Sequence, residues 1–430
     1  MKTPLIFRRK DVLSPAKAIY WKDLLYRTTK IGTELEVAPP KGMKRIDFEE
    51  EIRQLLLPSG NLARLGIHGV LDVQKEHCGV EIRIIGRHPY VSTLKQQYDE
   101  IISVLKIYGA RARSTCGLHF HLLTPDLAEP MPEIILANLW NLTRRYAPEL
   151  KYMTSAGSAR EALCRRRNYN SHLEMVRHSP GLMHMAEIQQ KLKASRQVPE
   201  HQNFFNLEHV GFTQSGAVWP FHIEYRFPDA ELSPTAITAK TFLFLAMLLK
   251  AVDLSQYGVI HVGKITPWKR KIALLNMLSN NEGSLATSDT QHITDEVIEE
   301  LKVGCYELLD LLMPVFDYLK AEAALDVLRY LANTPISLMR CAGHNWDEIE
   351  SLLAGRADAG ENGFDNTDRK LMQRIELGEW NGFSSVEEWQ FMAARELWLT
   401  VDDLERRLEV LQQLRGLRWD KRLGTLVFMS

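Results

Sequence analysis

Four short stretches of this chain set two polar functional groups two residues apart in otherwise apolar sequence. They are Glu34-Leu35-Glu36, Glu81-Ile82-Arg83, His119-Phe120-His121 and Glu224-Tyr225-Arg226. Successive side chains of a β-strand point to opposite faces, so each pair shares one face and leaves its apolar partners on the other. A sheet built from such strands would carry carboxylates, imidazoles and guanidiniums on a single surface. Carboxylates are the hard oxygen ligands that Mg²⁺ or Mn²⁺ prefers. Imidazoles ligate metals, and the planar fork of arginine grips phosphate or carboxylate at two points. Like charges gathered on one surface repel each other, and divalent cations remove that penalty. The chemistry to expect is the holding of metal ions and phosphates.

Each pair also has an ordinary reading. Paired glutamates are common on exposed strand faces, and Glu-x-Arg pairs form weak surface ion pairs. A single buried histidine is usually a hydrogen-bonded core residue. The joint occurrence of four such pairs is what carries the signal. A His-x-His pair also occurs in zinc and cupin sites, but Leu122-Leu123-Thr124-Pro125 follows here, where the cupin pattern needs a glutamate.

The elements that must position these pairs are legible in the periodicity. Lys30 to Val37 reads as a strand closed by Pro39-Pro40, after an irregular lead-in of about thirty residues. Phe48 to Leu57 has helical spacing. His68 to Val73 and Gly79 to Ile85 read as a hairpin turning around Lys75 to His77. Val91 to Tyr108 and Met131 to Tyr146 read as helices, and Cys116 to Leu123 and Phe221 to Phe227 as strands. The most apolar run, Ala236 to Val252, is short for a bilayer span and interrupted by Lys240 and Lys250; it reads as a buried core helix. Beyond about residue 255 helical periodicity dominates, at Asp295 to Lys320, Ala324 to Leu331 and Ser385 to Leu414. Gly355 to Asp368, crowded with Gly, Asp and Asn, reads as a mobile loop.

The chain has 430 residues, of which 25% are charged, with 53 basic and 54 acidic side chains. That balance provides no basic field to draw it to nucleic acid or to a membrane surface. Five cysteines without a CxxC favour reduced thiols and a cytoplasmic setting. Met1 to Lys10 lacks the apolar core of a signal peptide.

Taken in order, the motifs resemble those of a known superfamily. Gly32-Thr33-Glu34-Leu35-Glu36 resembles the first metal-binding strand of glutamine synthetase catalytic domains, and Gly79-Val80-Glu81 their next carboxylate strand. Cys116-Gly117-Leu118-His119-Phe120-His121 resembles their Gly-x-His-x-His strand. Ile223-Glu224-Tyr225-Arg226-Phe227-Pro228-Asp229 resembles the signature near the end of the domain. The shorter pattern is most similar to the amidoligase family, a branch of the carboxylate–amine ligase superfamily. The resemblance covers roughly residues 28 to 255. It implies an α+β fold in which a curved antiparallel sheet of glutamine synthetase type, backed by helices, cradles the active site. The expected domains are a lead-in over 1–27, a catalytic domain over 28–255 and a mainly α-helical C-terminal region over 256–430.

By the same resemblance the reaction is ATP-dependent formation of an amide or peptide bond through an acyl phosphate. Glu34, Glu36, Glu81, Glu224 and His119 would bind Mg²⁺ (or Mn²⁺), His121 would contact the nucleotide, and Arg226 would meet the transferred phosphoryl group. The family places one further carboxylate upstream of Glu81; Asp72 and Glu76 are the candidates, and Asp72 is preferred because it lies in the strand-like part. Arg160, Arg165, Arg166, Arg167 and Asn168 occupy the interval of the arginine-bearing loops of glutamine synthetase, which assigns Arg160, Arg165 and Arg167 to the ATP phosphates. Elements of an ammonia site have no counterpart in the sequence. The expected partners are ATP, a carboxylic acid and an amine, either small molecules or peptides, with a homo-oligomer left open by the C-terminal helices. Two other readings stand beside the ligase: a guanidino-kinase-like phosphotransferase, and a non-catalytic Mg·ATP sensor whose helices contact a partner.

Overall fold

The computed structural model describes residues 5, 7–8, 12–57, 69–87, 91–113, 115–124, 131–156, 205–206, 221–260, 288–361, 371, 374–375, 377–397, 399–415 and 417–428. The protein is α+β, with twelve helices among the described residues. It divides into two compact units, Met1–Ala354 and Gly355–Ser430.

In the first unit, strand β1 (Phe7–Arg8) precedes helix α1 (Pro15–Thr28), strand β2 (Lys30–Val37) and helix α2 (Arg45–Leu56). Strands β3 (Val70–Lys75) and β4 (Val80–Arg87) lead to helix α3 (Val91–Ile107) and strand β5 (Leu118–Thr124). Helices α4 (Glu133–Arg145) and α5 (Ala147–Met153) come next, then strands β6 (Phe205–Asn206) and β7 (Phe221–Tyr225), helix α6 (Pro234–Leu254) and strand β8 (Val259–Ile260). Helices α7 (Ser288–Leu319), α8 (Glu322–Asn333) and α9 (Ile336–Cys341) follow, and α10 (Trp346–Glu361) begins in this unit and ends past its last residue, Ala354. Residues 288–354, assigned from sequence to a separate helical region, thus fold in the same unit as the sheet.

Six strands form one antiparallel sheet in the order β3-β4-β2-β5-β7-β6, while β1 and β8 pair in a small ribbon of their own. The apolar face of the sheet lies against α6. Phe244 of that helix stacks on Tyr225, with ring centroids 4.2 Å apart, and meets Phe120 at 5.0 Å and Phe227 at 5.8 Å. Helices α1, α3, α4, α7 and α8 pack around α6. Of the 21 residues of α6, 19 are buried, which is why it is apolar on every side rather than along one stripe. It is longer than the periodicity predicted. Its length and composition would allow a membrane span, but 94% of its most apolar stretch is buried inside the protein. The interrupting Lys240 is fully buried in an ion pair with Glu231.

The register of the sheet is pinned at the β3–β4 turn. Glu76 and Gly79 exchange two backbone hydrogen bonds, of 3.0 and 3.1 Å. A Cβ at Gly79 would lie 2.1 Å from the Val37 carbonyl oxygen and 2.8 Å from Ala38 Cα, so a glycine is needed for the turn to close on the end of β2. A one-residue slip would send every site side chain to the apolar face.

Two expectations are corrected and one is refined. The lead-in is not irregular: α1 begins at Pro15, and the Ser14 hydroxyl accepts from the Lys17 N–H as an N-cap. The loop expected from Gly355 is helical through Glu361, because Ala354, Arg356, Ala357 and Ala359 are strong helix formers that offset Gly355 and Gly360; residues 362–368 lie outside the described residues. The mainly helical C-terminal region also holds a short hairpin. After α11 (Val386–Leu397) and α12 (Val401–Arg415), strands β9 (Leu417–Asp420) and β10 (Thr425–Phe428) form a hairpin. Asp420 Oδ1 accepts from the N–H groups of Arg422 and Leu423, and Gly424 takes a φ of +56°, so the turn is closed by its own side chain. The second unit has its own core, centred on Trp380, Trp389, Leu404, Leu411, Leu417 and Leu426.

Candidate metal centre

Strand pairing sets the polar side chains in three rows across the sheet. One row runs Asp72, Arg83, Glu34, His119 over β3, β4, β2 and β5. The next runs Gln74, Glu81, Glu36 over β3, β4 and β2. The third runs Gly32, His121 and Glu224 over β2, β5 and β7. Alternation within each strand puts all of them on the face opposite α6.

His119 is the centre of the constellation and is fully buried. Its Nδ1 lies 3.1 Å from Glu34 Oε2 and 3.3 Å from Glu224 Oε1, and its Nε2 lies 3.6 Å from Glu36 Oε1. Two groups of three have ligand atoms within 4.8 Å of one another: Glu34, His119 and Glu224, and Glu36, Glu81 and His119. Glu36 is further fixed through Oε2, which accepts from the Gly117 N–H at 2.5 Å and from the Cys78 thiol at 3.7 Å.

The electrostatics show that the cluster is short of positive charge. Four carboxylates meet here, and two guanidiniums offset two of them. Arg83 Nε stands 2.9 Å from Glu81 Oε1 and 3.4 Å from Glu34 Oε1; Arg226 Nη1 stands 2.5 Å from Glu224 Oε1. Burial and the neighbouring Glu34 charge push the Glu81 carboxyl up to about 7, against the pull of Arg83. Burial also works against ionised Glu34, but hydrogen bonds and charge from His119 and His121 hold it well below the usual carboxylate range. Glu224 is held down in the same way, burial being outweighed by His119, Arg226 and His121. A buried carboxylate that resists ionisation beside others that stay ionised is what a divalent cation relieves, so the donor set fits Mg²⁺ or Mn²⁺. A neutral imidazole coordinates through one nitrogen, so His119 would complete one group, leaving carboxylates and water to complete the other.

The residues singled out from sequence are placed as follows. Glu34, Glu36, Glu81, His119 and Glu224 come together, and Arg226 is tied to Glu224. His121 borders them, with Nε2 at 3.5 Å from Glu34 Oε2. Asp72 shares their face but lies beyond Arg83 and in neither group. Its carboxylate accepts from the Val73 N–H at 2.8 Å, from Gln74 Nε2 at 2.7 Å and from Arg53 Nη1 at 3.4 Å, and the Gln74 bond above all lowers its pKa. Glu76 sits in the β3–β4 turn. Arg160, Arg165, Arg166, Arg167 and Asn168 lie outside the described residues.

One neighbour was missed. His222 Nε2 lies 2.7 Å from His121 Nδ1. The signal was in the sequence, because His222-Ile223-Glu224-Tyr225-Arg226 extends the same alternation by one more polar residue.

No family model and no curated protein matches this chain. Among solved structures, that of the complex between the prokaryotic ubiquitin-like protein Pup and its ligase PafA is similar over 78% of this chain and 74% of that chain. The identity is 11% and the TM-score 0.31, a level of likeness that transfers neither mechanism nor partner.

Proposed function

We propose that the protein is an ATP-dependent carboxylate–amine ligase acting through an acyl phosphate. The observation that carries this reading is the register that converts four sequence motifs into two overlapping ligand groups around His119, with Arg226 at their edge. Glu34, Glu36, Glu81, His119 and Glu224 would hold Mg²⁺ or Mn²⁺, whose role when bound is to neutralise the oxygens of the ATP phosphates.

The chain's own residues do the remainder. Oxygen of the substrate carboxylate attacks the terminal phosphorus of ATP and ADP leaves, giving an acyl phosphate and turning a poor electrophile into a good one. The amine then attacks the acyl carbon, a C–N bond forms, and inorganic phosphate leaves with the C–O electron pair and takes up the proton the nitrogen loses. Phosphoryl transfer asks a protein chiefly for positioning and charge stabilisation. The position of Arg226, held by Glu224, fits it to stabilise the charge that develops on the transferred group. His121 and His222, on neighbouring strands beside Glu224, border the same end of the centre.

The test is incubation with Mg·ATP, a panel of carboxylic acids and hydroxylamine. The expected outcome is a hydroxamate with one ADP released per product. Release of AMP would show an adenylate route and overturn the acyl phosphate. Binding of Mg·ATP without turnover of any acid would favour the sensor reading.

A further inference from the structure

Glu36 faces two ways. Its Oε1 approaches His119 Nε2 at 3.6 Å. Its Oε2 turns to the other side, where it accepts from the Gly117 N–H at 2.5 Å and from the Cys78 thiol at 3.7 Å. Gly117 follows Cys116 in the chain, so these two bonds bring Cys78 alongside Cys116. Contact with the Cys116 side chain, burial, and the charges of Glu36 and Glu76 raise the Cys78 pKa, in that order. Cys116 is fully buried, whereas Cys78 is half-buried in the β3–β4 turn and gives the pair a route to solvent.

These donors differ in kind from those around His119. The centre offers hard carboxylate oxygens and an imidazole; here two thiols stand beside one carboxylate oxygen. Thiolates select soft or borderline cations such as Zn²⁺ and Cd²⁺ over Mg²⁺ and Mn²⁺. With metal–sulfur and metal–oxygen bonds of about 2.3 and 2.1 Å, a tetrahedral ion holds sulfur and oxygen about 3.6 Å apart. Cys78 Sγ and Glu36 Oε2 already stand at 3.7 Å.

We infer that Cys78, Cys116 and Glu36 Oε2 form a second cation site, for a thiophilic divalent ion of the Zn²⁺ type, with water as the fourth ligand. Each thiol gives its proton to solvent as its metal–sulfur bond forms. Glu36 is shared: an ion on Oε2 draws on the carboxylate that faces His119 through Oε1. Filling the thiol site therefore weakens the hard-cation centre.

The test uses Cd²⁺ as the probe, titrated into the reduced full-length protein in excess Mg²⁺. Binding is followed by the ultraviolet charge-transfer absorption of thiolate bound to cadmium. A Cys341→Ala background removes the exposed thiol. Saturation at one Cd²⁺ per chain is expected, with two protons released. Cys78→Ser and Cys116→Ser should each cut the absorption by about half and weaken binding by about 100-fold, at or beyond the top of the range for losing an outer-shell partner. Cys78→Ser, at a half-buried turn position, decides the matter should Cys116→Ser fail to fold. Filling the thiol site should lower Mn²⁺ affinity about tenfold, and Cys78→Ser should abolish that effect while its own Mn²⁺ affinity stays within about twofold of the wild type. The inference is overturned by the absence of a charge-transfer band, by a band that Cys78→Ser leaves intact, or by Cd²⁺ that displaces Mn²⁺ with no thiolate signal. The readout needs no turnover, so a failure to form hydroxamate would count against the ligase reading alone, and a missing cadmium band against the thiol site alone.

Discussion

At the scale of single residues, the centre is a set of buried carboxylates arranged around one imidazole. Glu81 is the informative member, because it must ionise to ligate and its environment holds its pKa at about 7. Mn²⁺ affinity is therefore expected to rise with pH up to about 7 and level off above it, with a proton released on binding at lower pH. Calorimetry in two buffers of different ionisation enthalpy reads that proton; affinity that is flat from about pH 5 to about pH 8 would contradict the assignment. Glu34→Gln and Glu224→Gln each remove a ligand oxygen from the group that includes His119. Each is expected to lower turnover about 100-fold or more while the circular dichroism spectrum is unchanged. Full activity in both variants would remove them from the site. The pairs were legible because a period of two writes a shared face directly into the sequence. Asp72 shows the limit of that code: period and register put it on the right face, but only the folded neighbourhood shows that Val73, Gln74 and Arg53 already bond its oxygens.

At the scale of elements, two features decide whether the rows line up. The first is the β3–β4 turn, where Gly79 meets the backbone of Val37 and Ala38. Gly79→Ala forces backbone to move at the strand that carries Glu34 and Glu36, and is expected to cost about 1–3 kcal/mol and to weaken Mn²⁺ binding with it. An unchanged melting temperature would show that the turn has slack. The second is the aromatic contact behind the sheet, where Phe244 supports Tyr225, Phe120 and Phe227 directly beneath the strands of Glu224 and His119. Phe244→Ala is expected to destabilise by about 3–5 kcal/mol in denaturant titration, and a loss well below that range would mean that the sheet is not seated on α6 as described. Strands β2 to β5 and helices α2 to α4 could be read closely from periodicity, since each has a clear apolar face. Helix α1 escaped because its signal is a Ser14-Pro15 cap rather than a strong apolar stripe. The β9–β10 hairpin escaped because four-residue strands carry too few alternations to stand out beside long helices.

At the scale of the whole molecule, the chain forms one large unit that carries the site and one small unit with a tryptophan-centred core. Where the first unit ends was not legible, because α7 and α8 are written in the same helical code as the second unit and only their packing, against α6 and α5, assigns them. Trp389 is fully buried, stands edge-on to Trp380 and donates from Nε1 to Thr425 at 3.0 Å. Trp389→Ala is expected to unfold residues 355–430 while Mn²⁺ affinity at the centre stays within about twofold, since each unit has its own core. Loss of Mn²⁺ binding in that variant would tie the two units together energetically. The central claim, that the polar face of the sheet is a divalent-cation centre, is tested most directly by titrating Mn²⁺ into the protein and following free Mn²⁺ by electron paramagnetic resonance. The account predicts saturable binding that tightens in the presence of ATP and is lost when Glu34→Gln and Glu224→Gln are combined. No saturable binding by the wild type, or binding unaffected by the double substitution, would contradict it.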